Sequence, residues 1–189
     1  MTYFIIALII SIVLIFWGIN IYNRLIKNRN MMEEGLSGID VQLKKRHDLI
    51  PGLLNTVKAY AQHEKETLTE VIEARNKAIV NTNEHPEDIE STAVVQNQLS
   101  AALGKLFALA ENYPELKADS NFKQFQTELS DIEADIEKAR RYYNATVRDY
   151  NITVESFPSN MVASMGQFKR GQFFELENPA DRSLPEVKF

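Results

Sequence analysis

An all-α fold follows from three features of the sequence. Apolar residues recur at helical spacing over long stretches, prolines fall at the ends of those stretches with one exception, and no segment sustains strand-like alternation. The expected architecture is a single amino-terminal transmembrane helix followed by an elongated, antiparallel, up-and-down helical bundle. Three long helices and a possible short fourth would form the bundle, and an irregular carboxyl-terminal tail would dock on it. In residue terms this gives a short extracytoplasmic terminus at 1–3, a span at 4–22 and a juxtamembrane helix or joint at 23–38. The bundle then covers 39–168 and the tail 169–189.

The chain of 189 residues is long enough for one domain and an appendage. It has no cysteine, which excludes disulfides, thiolate catalysis and cysteine-ligated metals. Charge is unevenly placed. The first thirty residues hold three bases (Arg24, Lys27, Arg29) and no acid, so the remainder carries −8 of a chain whose formal net charge is −5. An acidic body argues against nucleic acid, because phosphate binding needs a concentrated basic face. The one basic cluster, Lys44-Lys45-Arg46, is followed at once by Asp48 and reads as a solvated helix face.

Between Phe4 and Ile19 there is no charged side chain, and Ser11 can return its hydroxyl to a backbone carbonyl. With Asn20, Ile21 and Tyr22 as a weaker end, the run has the length a helix needs to cross about 30 Å of hydrocarbon. Tyr3 at one end and Trp17 and Tyr22 at the other suit the headgroup level. Met1-Thr2-Tyr3 lacks the bases of a signal peptide, and Gly18-Ile19-Asn20 is a poor cleavage site. All flanking bases follow the span, so the positive-inside rule places the body in the cytoplasm and the amino terminus outside.

Asn23–Met32 continues with helix-compatible residues, and Gly35 and Gly38 mark the expected bend or joint. Ile39–Val80 reads as one long helix with its apolar stripe on Ile39, Leu43, Ile50, Val57, Ala61, Leu68 and Ile79. At about 1.5 Å per residue it would be roughly 60 Å long, making the body a rod that stands off the membrane. Pro51 interrupts it. Proline lacks an amide donor and crowds the carbonyl four residues back, that of His47. Either the helix kinks there, or a new helix starts with Asp48 as its cap; the kink is the favoured reading.

Asn81–Glu84 is a polar connection, and Pro86, Glu87 and Asp88 suit the first turn of a second helix reaching about Asn112. Tyr113-Pro114 would end it. The third helix, with Ser120 as its cap, carries the clearest stripe, from Phe122 through Ile136 and Tyr143 to Val154. Its steps form a heptad-like, coiled-coil seam with one four-residue insertion. Phe157-Pro158 stops it, Ser159–Gln167 can add a short fourth helix, and the aromatics Phe173-Phe174 favour a docked tail.

These pieces carry a resemblance. Ile39-Asp40-Val41-Gln42-Leu43, Arg46-His47-Asp48-Leu49-Ile50-Pro51, Thr56-Val57-Lys58, Tyr60 and His63-Glu64 form its first half. Ala74-Arg75, Tyr113-Pro114-Glu115-Leu116-Lys117-Ala118, Asn121-Phe122, Ala139-Arg140, Tyr143-Asn144, Tyr150-Asn151 and Phe157-Pro158-Ser159 continue it. By these motifs the chain resembles the LemA family of bacterial membrane proteins. The resemblance implies an amino-terminal membrane helix with its terminus outside and a helical body inside, and it supplies no established activity. Family genes often lie beside those for membrane metallopeptidases or TPM-domain proteins, a pointer to envelope-linked partners. Gly52 stands where the family commonly has asparagine, which would make the proline joint more mobile.

His63-Glu64 starts like a zinc-protease motif, but Thr67 stands where the second histidine is needed. A di-metal centre built on Glu-x-x-His fails as well, because Tyr60 holds the position three before His63. No metal, cofactor, catalytic residue or small-molecule substrate is expected. Glu64, Arg75 and Arg140 fall on or beside the apolar stripes, where charges persist only if paired, and an interhelical Glu64–arginine pair fixing register is the expectation. A polar pocket for a ligand or partner tail is the competing reading. His47 and Asp48 beside Pro51 can use the carbonyl freed by the kink. Asn144-Ala145-Thr146 and Asn151-Ile152-Thr153 match the glycosylation triplet but fall inside a helix.

The function expected is that of a membrane-anchored, non-enzymatic scaffold with no established activity. It would contact lipid through residues 4–22 and bind copies of itself or envelope proteins. Its candidate interaction or register-setting residues are His47, Asp48, Pro51, His63, Glu64, Arg75 and Arg140. The alternative is an accessory subunit or regulator of a membrane protease.

Overall fold

A computed structural model describes residues 1–84 and 88–174, and every regular element among them is an α-helix. The order is α1 (Thr2–Tyr60), α2 (Lys65–Glu84), α3 (Ile89–Ala110), α4 (Pro114–Ala118), α5 (Ser120–Glu155) and α6 (Ser159–Met165). The all-α expectation holds. Pro86 and Glu87, and the tail from residue 175 onward with Pro179, Pro185 and Val187-Lys188-Phe189, lie outside the described residues.

The largest departure concerns the helix expected over Ile39–Val80. Its first part is fused to the apolar segment in the 59-residue α1, and it ends at Tyr60. A turn at Ala61–Glu64, closed by the Glu64 amide donating to the Ala61 carbonyl (3.2 Å), leads into α2. No glycine or proline marks this turn. Its physical reason is burial: reversing the chain lets Leu68, Val71, Ala74 and Ala78 pack against Ile50, Leu53 and Val57 in one core. The stripe also skips a beat there, because the positions where an apolar residue is due between Ala61 and Leu68 are Glu64 and Lys65.

Pro51 lies inside α1, so no new helix starts there, and Asp48 caps nothing. Gly35 and Gly38 are likewise inside α1. At Gly35 the reason for glycine is close approach: a Cβ would stand 3.2 Å from the Tyr143 Cα of α5. Gly52 is also a contact glycine, since a Cβ there would meet the Phe125 ring at 2.6 Å. The more mobile joint expected at Gly52 is instead a packed site.

Helix caps differ in detail. Asp88 caps α3 by accepting from the Ser91 amide (2.9 Å). Asp119, rather than Ser120, serves α5, its Oδ1 accepting from the amides of Asn121 (2.8 Å) and Phe122 (3.0 Å). Those bonds, with a hydroxyl bond from Tyr60, hold the Asp119 carboxyl below its ordinary pKa. α3 stops at Ala110, ahead of Tyr113-Pro114, and Pro114 opens the short α4 in the donor-free first turn.

The chain forms two compact units. The first comprises Met1–Ile39 and Glu137–Phe173; the second comprises Asp40–Ile136 and Phe174–Phe189, of which Phe174 is described.

In the first unit, the apolar side chains from Tyr3 to Trp17 are exposed, and this part of α1 is long and apolar enough to cross a membrane. Burial on α1 begins at Leu25 and returns at Gly35 and Ile39, facing a stripe of Tyr143, Val147 and Tyr150 on α5. As α1 advances from Asn28 to Gly35, its partners on α5 step back from Thr153 to Tyr143. Residues 171–172 lie along α5. The Asn151 amide donates to the Gly171 carbonyl (3.0 Å) and accepts from its N–H (2.8 Å), and the Tyr143 hydroxyl donates to the Gln172 carbonyl (2.8 Å). Asn151 of the glycosylation-like triplet is therefore a buried structural residue.

The second unit holds the main core, in which α1, α2, α3, α4 and α5 contribute Leu53, Val71, Leu106, Leu116 and Leu129 among others. Alanines at 74, 78, 102 and 110 let the helices approach closely.

Candidate functional site

The site grows from the missing donor at Pro51. With no amide hydrogen on Pro51, the His47 carbonyl has no partner four residues on, and an unpaired backbone carbonyl inside a packed helix is costly. Arg75 of α2 supplies the donor: its Nε gives a hydrogen bond to the His47 carbonyl oxygen at 2.8 Å. The proline defect in one helix is thus filled by the side chain of the next.

Two neighbouring side chains extend this into a polar layer. Arg46, expected on a solvated face, is only 3% exposed. Its Nη2 donates to Ser100 Oγ of α3 (2.6 Å), and its Nη1 lies 3.3 Å from Glu133 Oε2 of α5. Burial lowers the Arg46 pKa, against the opposing pull of Glu133. His47 is 5% exposed and Gln96 of α3 fully buried, with His47 Nε2 and Gln96 Nε2 3.3 Å apart. Burial is the main reason the His47 pKa falls from 6.5 to about 4; the Gln96 bond opposes it, and the positive charges of Arg46 and Arg75 reinforce it. One level of the core therefore joins α1 to α2, α3 and α5 through polar bonds.

The layer opens outward in two places. Arg46 borders a cleft of about 720 Å³ lined by Ser100, Leu103 and Phe107 of α3 and by Gln126, Ser130 and Glu133 of α5, among others. His47 borders a groove of about 450 Å³ shared with Asp40, Asp48, Ile79 and Thr82. Partial burial raises the Asp40 pKa. A third groove, about 310 Å³, runs past Pro51, Leu54, Lys58, Leu68 and Arg75.

The other sequence candidates are dispersed. Asp48 is exposed and accepts from Lys44 one turn earlier (2.9 Å), a bond that lowers its pKa. His63 is exposed in the turn after α1. The expected Glu64–arginine pair is not formed, because Glu64 accepts from the Tyr113 hydroxyl (2.8 Å) while Arg75 is committed to His47. Glu64 shares that end of the unit with a bond from Tyr60 to Asp119 (2.9 Å). Arg140 is buried on α5 in the first unit. Among the described residues, no three His, Asp or Glu side chains stand close enough to hold a metal ion.

Sequence reasoning missed Arg46, Gln96, Ser100 and Glu133. A signal for Arg46 was present, since Leu43, His47 and Ile50 bracket it on the buried side of the helix. For Gln96 the helical phase between Thr92, Ala93 and Leu99 was the available cue.

Known proteins place this arrangement in context. The sequence profile of the LemA family matches residues 35–189, which contain the whole polar layer. Protein LemA of Metamycoplasma hominis is 29% identical over 143 residues, covering 75% of this chain and 63% of that protein. Magnetosome protein MamQ 2 of Paramagnetospirillum magneticum is 38% identical over 79 residues, covering 42% of this chain and 29% of that protein. Magnetosome protein MamQ of Magnetospirillum gryphiswaldense is 35% identical over 79 residues, with the same coverage. The chain thus spans under two thirds of the first relative and under a third of the magnetosome proteins. A profile match over most of the chain settles its kinship: it belongs to the LemA family.

Proposed function

We propose that the protein is a membrane-anchored helical scaffold of the bacterial envelope that acts by binding rather than by catalysis. One observation carries this reading. The polar side chains that could do chemistry, Arg46, His47, Arg75 and Glu64, are each engaged in bonds between elements of the second unit. They hold helix register instead of converging on one enclosed site. Residues 4–22 cross the bilayer, with Arg24, Lys27 and Arg29 keeping the body, an antiparallel bundle, on the cytoplasmic side. Confinement to one membrane strengthens weak lateral contacts, so copies of the chain or envelope proteins are the partners proposed, with no cofactor or nucleic acid. The open cleft beside Arg46 is the first surface to consider for them.

The test is the mass of the protein in mild detergent and what it retains. A scaffold runs larger than one 21.6 kDa chain plus its micelle, or brings envelope proteins with it. A clean monomer recovered alone contradicts it. The groove along Pro51 and Arg75 favours a second reading, an accessory subunit of a membrane protease. Deletion would then alter membrane proteolysis, and substitutions lining that groove would reproduce the effect.

A further inference from the structure

Three large apolar side chains at one end of the first unit are exposed among the described residues. Phe157 is 80% exposed, Met161 61% and Met165 87%. Met161 and Met165 stand one turn apart on the same face of α6, while Ala163 is buried.

Their place along α1 is fixed by contacts. The partners of α1 on α5 step back from Tyr143 beside Gly35 to Thr153 beside Asn28, so α5 ends two residues later near the level of Leu25. The chain then turns through Phe157 into α6. The end of α6 rests against Tyr22: a Cβ on Gly166 would lie 3.4 Å from the Tyr22 ring, and Phe168 meets that ring edge-on at 5.6 Å between centroids. Tyr22 closes the apolar segment, and Ile19, about 5 Å below it along the helix axis, already belongs to the exposed apolar surface.

The surroundings are basic. The Arg29 guanidinium lies over the Phe168 ring at 5.6 Å, Arg170 pairs with Glu155 at 2.8 Å, and Lys169, Lys27 and Arg24 are near in sequence. An exposed apolar face flanked by bases, level with the tyrosine at the end of a span, has the chemistry of an interfacial membrane contact.

We propose that α6 and the turn before it form a second membrane contact, with Phe157, Met161 and Met165 seated in the headgroup region of the bilayer that residues 4–22 cross. The contact would fix how the first unit stands on the membrane, which a single span cannot do. It rests on the reading of residues 4–22 as a span, and the test separates the two.

The chain has no cysteine, so single substitutions report on single positions. Met161→Cys and Met165→Cys, with Leu8→Cys in the span and Val94→Cys at an exposed position of α3 as references, are labelled with a small fluorophore in the full chain. The proteins are placed in vesicles containing anionic lipid and lipid carrying a nitroxide near the headgroup. The expected result is several-fold stronger quenching by lipid nitroxide at 8, 161 and 165 than at 94, with aqueous iodide acting mainly at 94. Quenching at 8 but iodide access at 161 and 165 overturns the second contact and leaves the span intact. Shielding of 161 and 165 from both quenchers assigns the face to a protein partner and also overturns it. Iodide access at 8 removes the span and the second contact together.

Discussion

Replacing Arg75 with methionine keeps an extended side chain over Pro51 and removes the donor that the His47 carbonyl receives in place of the proline amide. A hydrogen bond from a charged group is worth about 1.5–3 kcal/mol, and orphaning its partner adds to the loss. Arg75 is half-buried, so its exposed part is screened and the lower half of that range, about 1.5–2 kcal/mol, is the expectation. The informative experiment is the double-mutant cycle with Pro51→Ala. Alanine restores an amide four residues after His47, so in that background the carbonyl is satisfied within the helix and Arg75→Met should cost about 1 kcal/mol less. Pro51→Ala alone should be neutral or stabilising, because proline is the poorest helix-interior residue. Urea unfolding of the full chain in detergent, followed by circular dichroism, gives all four stabilities. Equal costs of Arg75→Met in the two backgrounds, within about 0.5 kcal/mol, would refute the claim that Arg75 fills the proline defect.

Gly52→Ala should destabilise by about 1–2 kcal/mol, since its Cβ meets the Phe125 ring at 2.6 Å, and Phe125→Leu should relieve most of that cost in unfolding measurements. Stability should depend on pH through His47. The folded state keeps it neutral down to about pH 4, whereas an unfolded histidine takes its proton near 6.5. The contribution is therefore complete above 6.5 and is lost as pH falls toward 4, at up to about 1.4 kcal/mol per pH unit. His47→Gln should flatten that part of the urea-midpoint profile, and an unchanged slope assigns it to other groups. Asn151→Ala should cost about 1–3 kcal/mol, because it leaves the Gly171 amide and carbonyl without their side-chain partners. Faster hydrogen exchange at Gly171 would locate the effect.

The sequence made the all-α class, the apolar segment and the third helix legible because each rests on long periodic patterns. The α1–α2 turn was not legible as a breaker. Gln62, His63 and Glu64 are ordinary helix residues, and the reversal is driven by core packing of Leu68 and Val71 that only the fold supplies. Pro51 is the opposite case: a strong local breaker is tolerated inside α1, as the favoured reading of a continuing helix had it, and Arg75, distant in sequence, gives the freed carbonyl its donor. The same distance explains the site residues. Periodicity could flag Arg46, Arg75 and Glu64 as near the buried stripe, but it could not tell which partner each would take. Glu64 found Tyr113 and Arg46 found Ser100 and Glu133, pairings fixed by how three further helices fold back on α1.

Whether the body exists to bind partners is tested most directly by crosslinking in the native membrane. A photo-reactive residue at Ser130, on the exposed lip of the cleft beside Arg46, would be activated in intact cells and its adducts identified by mass spectrometry. A scaffold predicts discrete adducts to a second copy of the chain or to a small set of envelope proteins, lost when Arg46→Met disturbs the cleft. A protein that stays free of protein adducts at Ser130, while the same residue placed at Leu8 crosslinks to lipid, would contradict it.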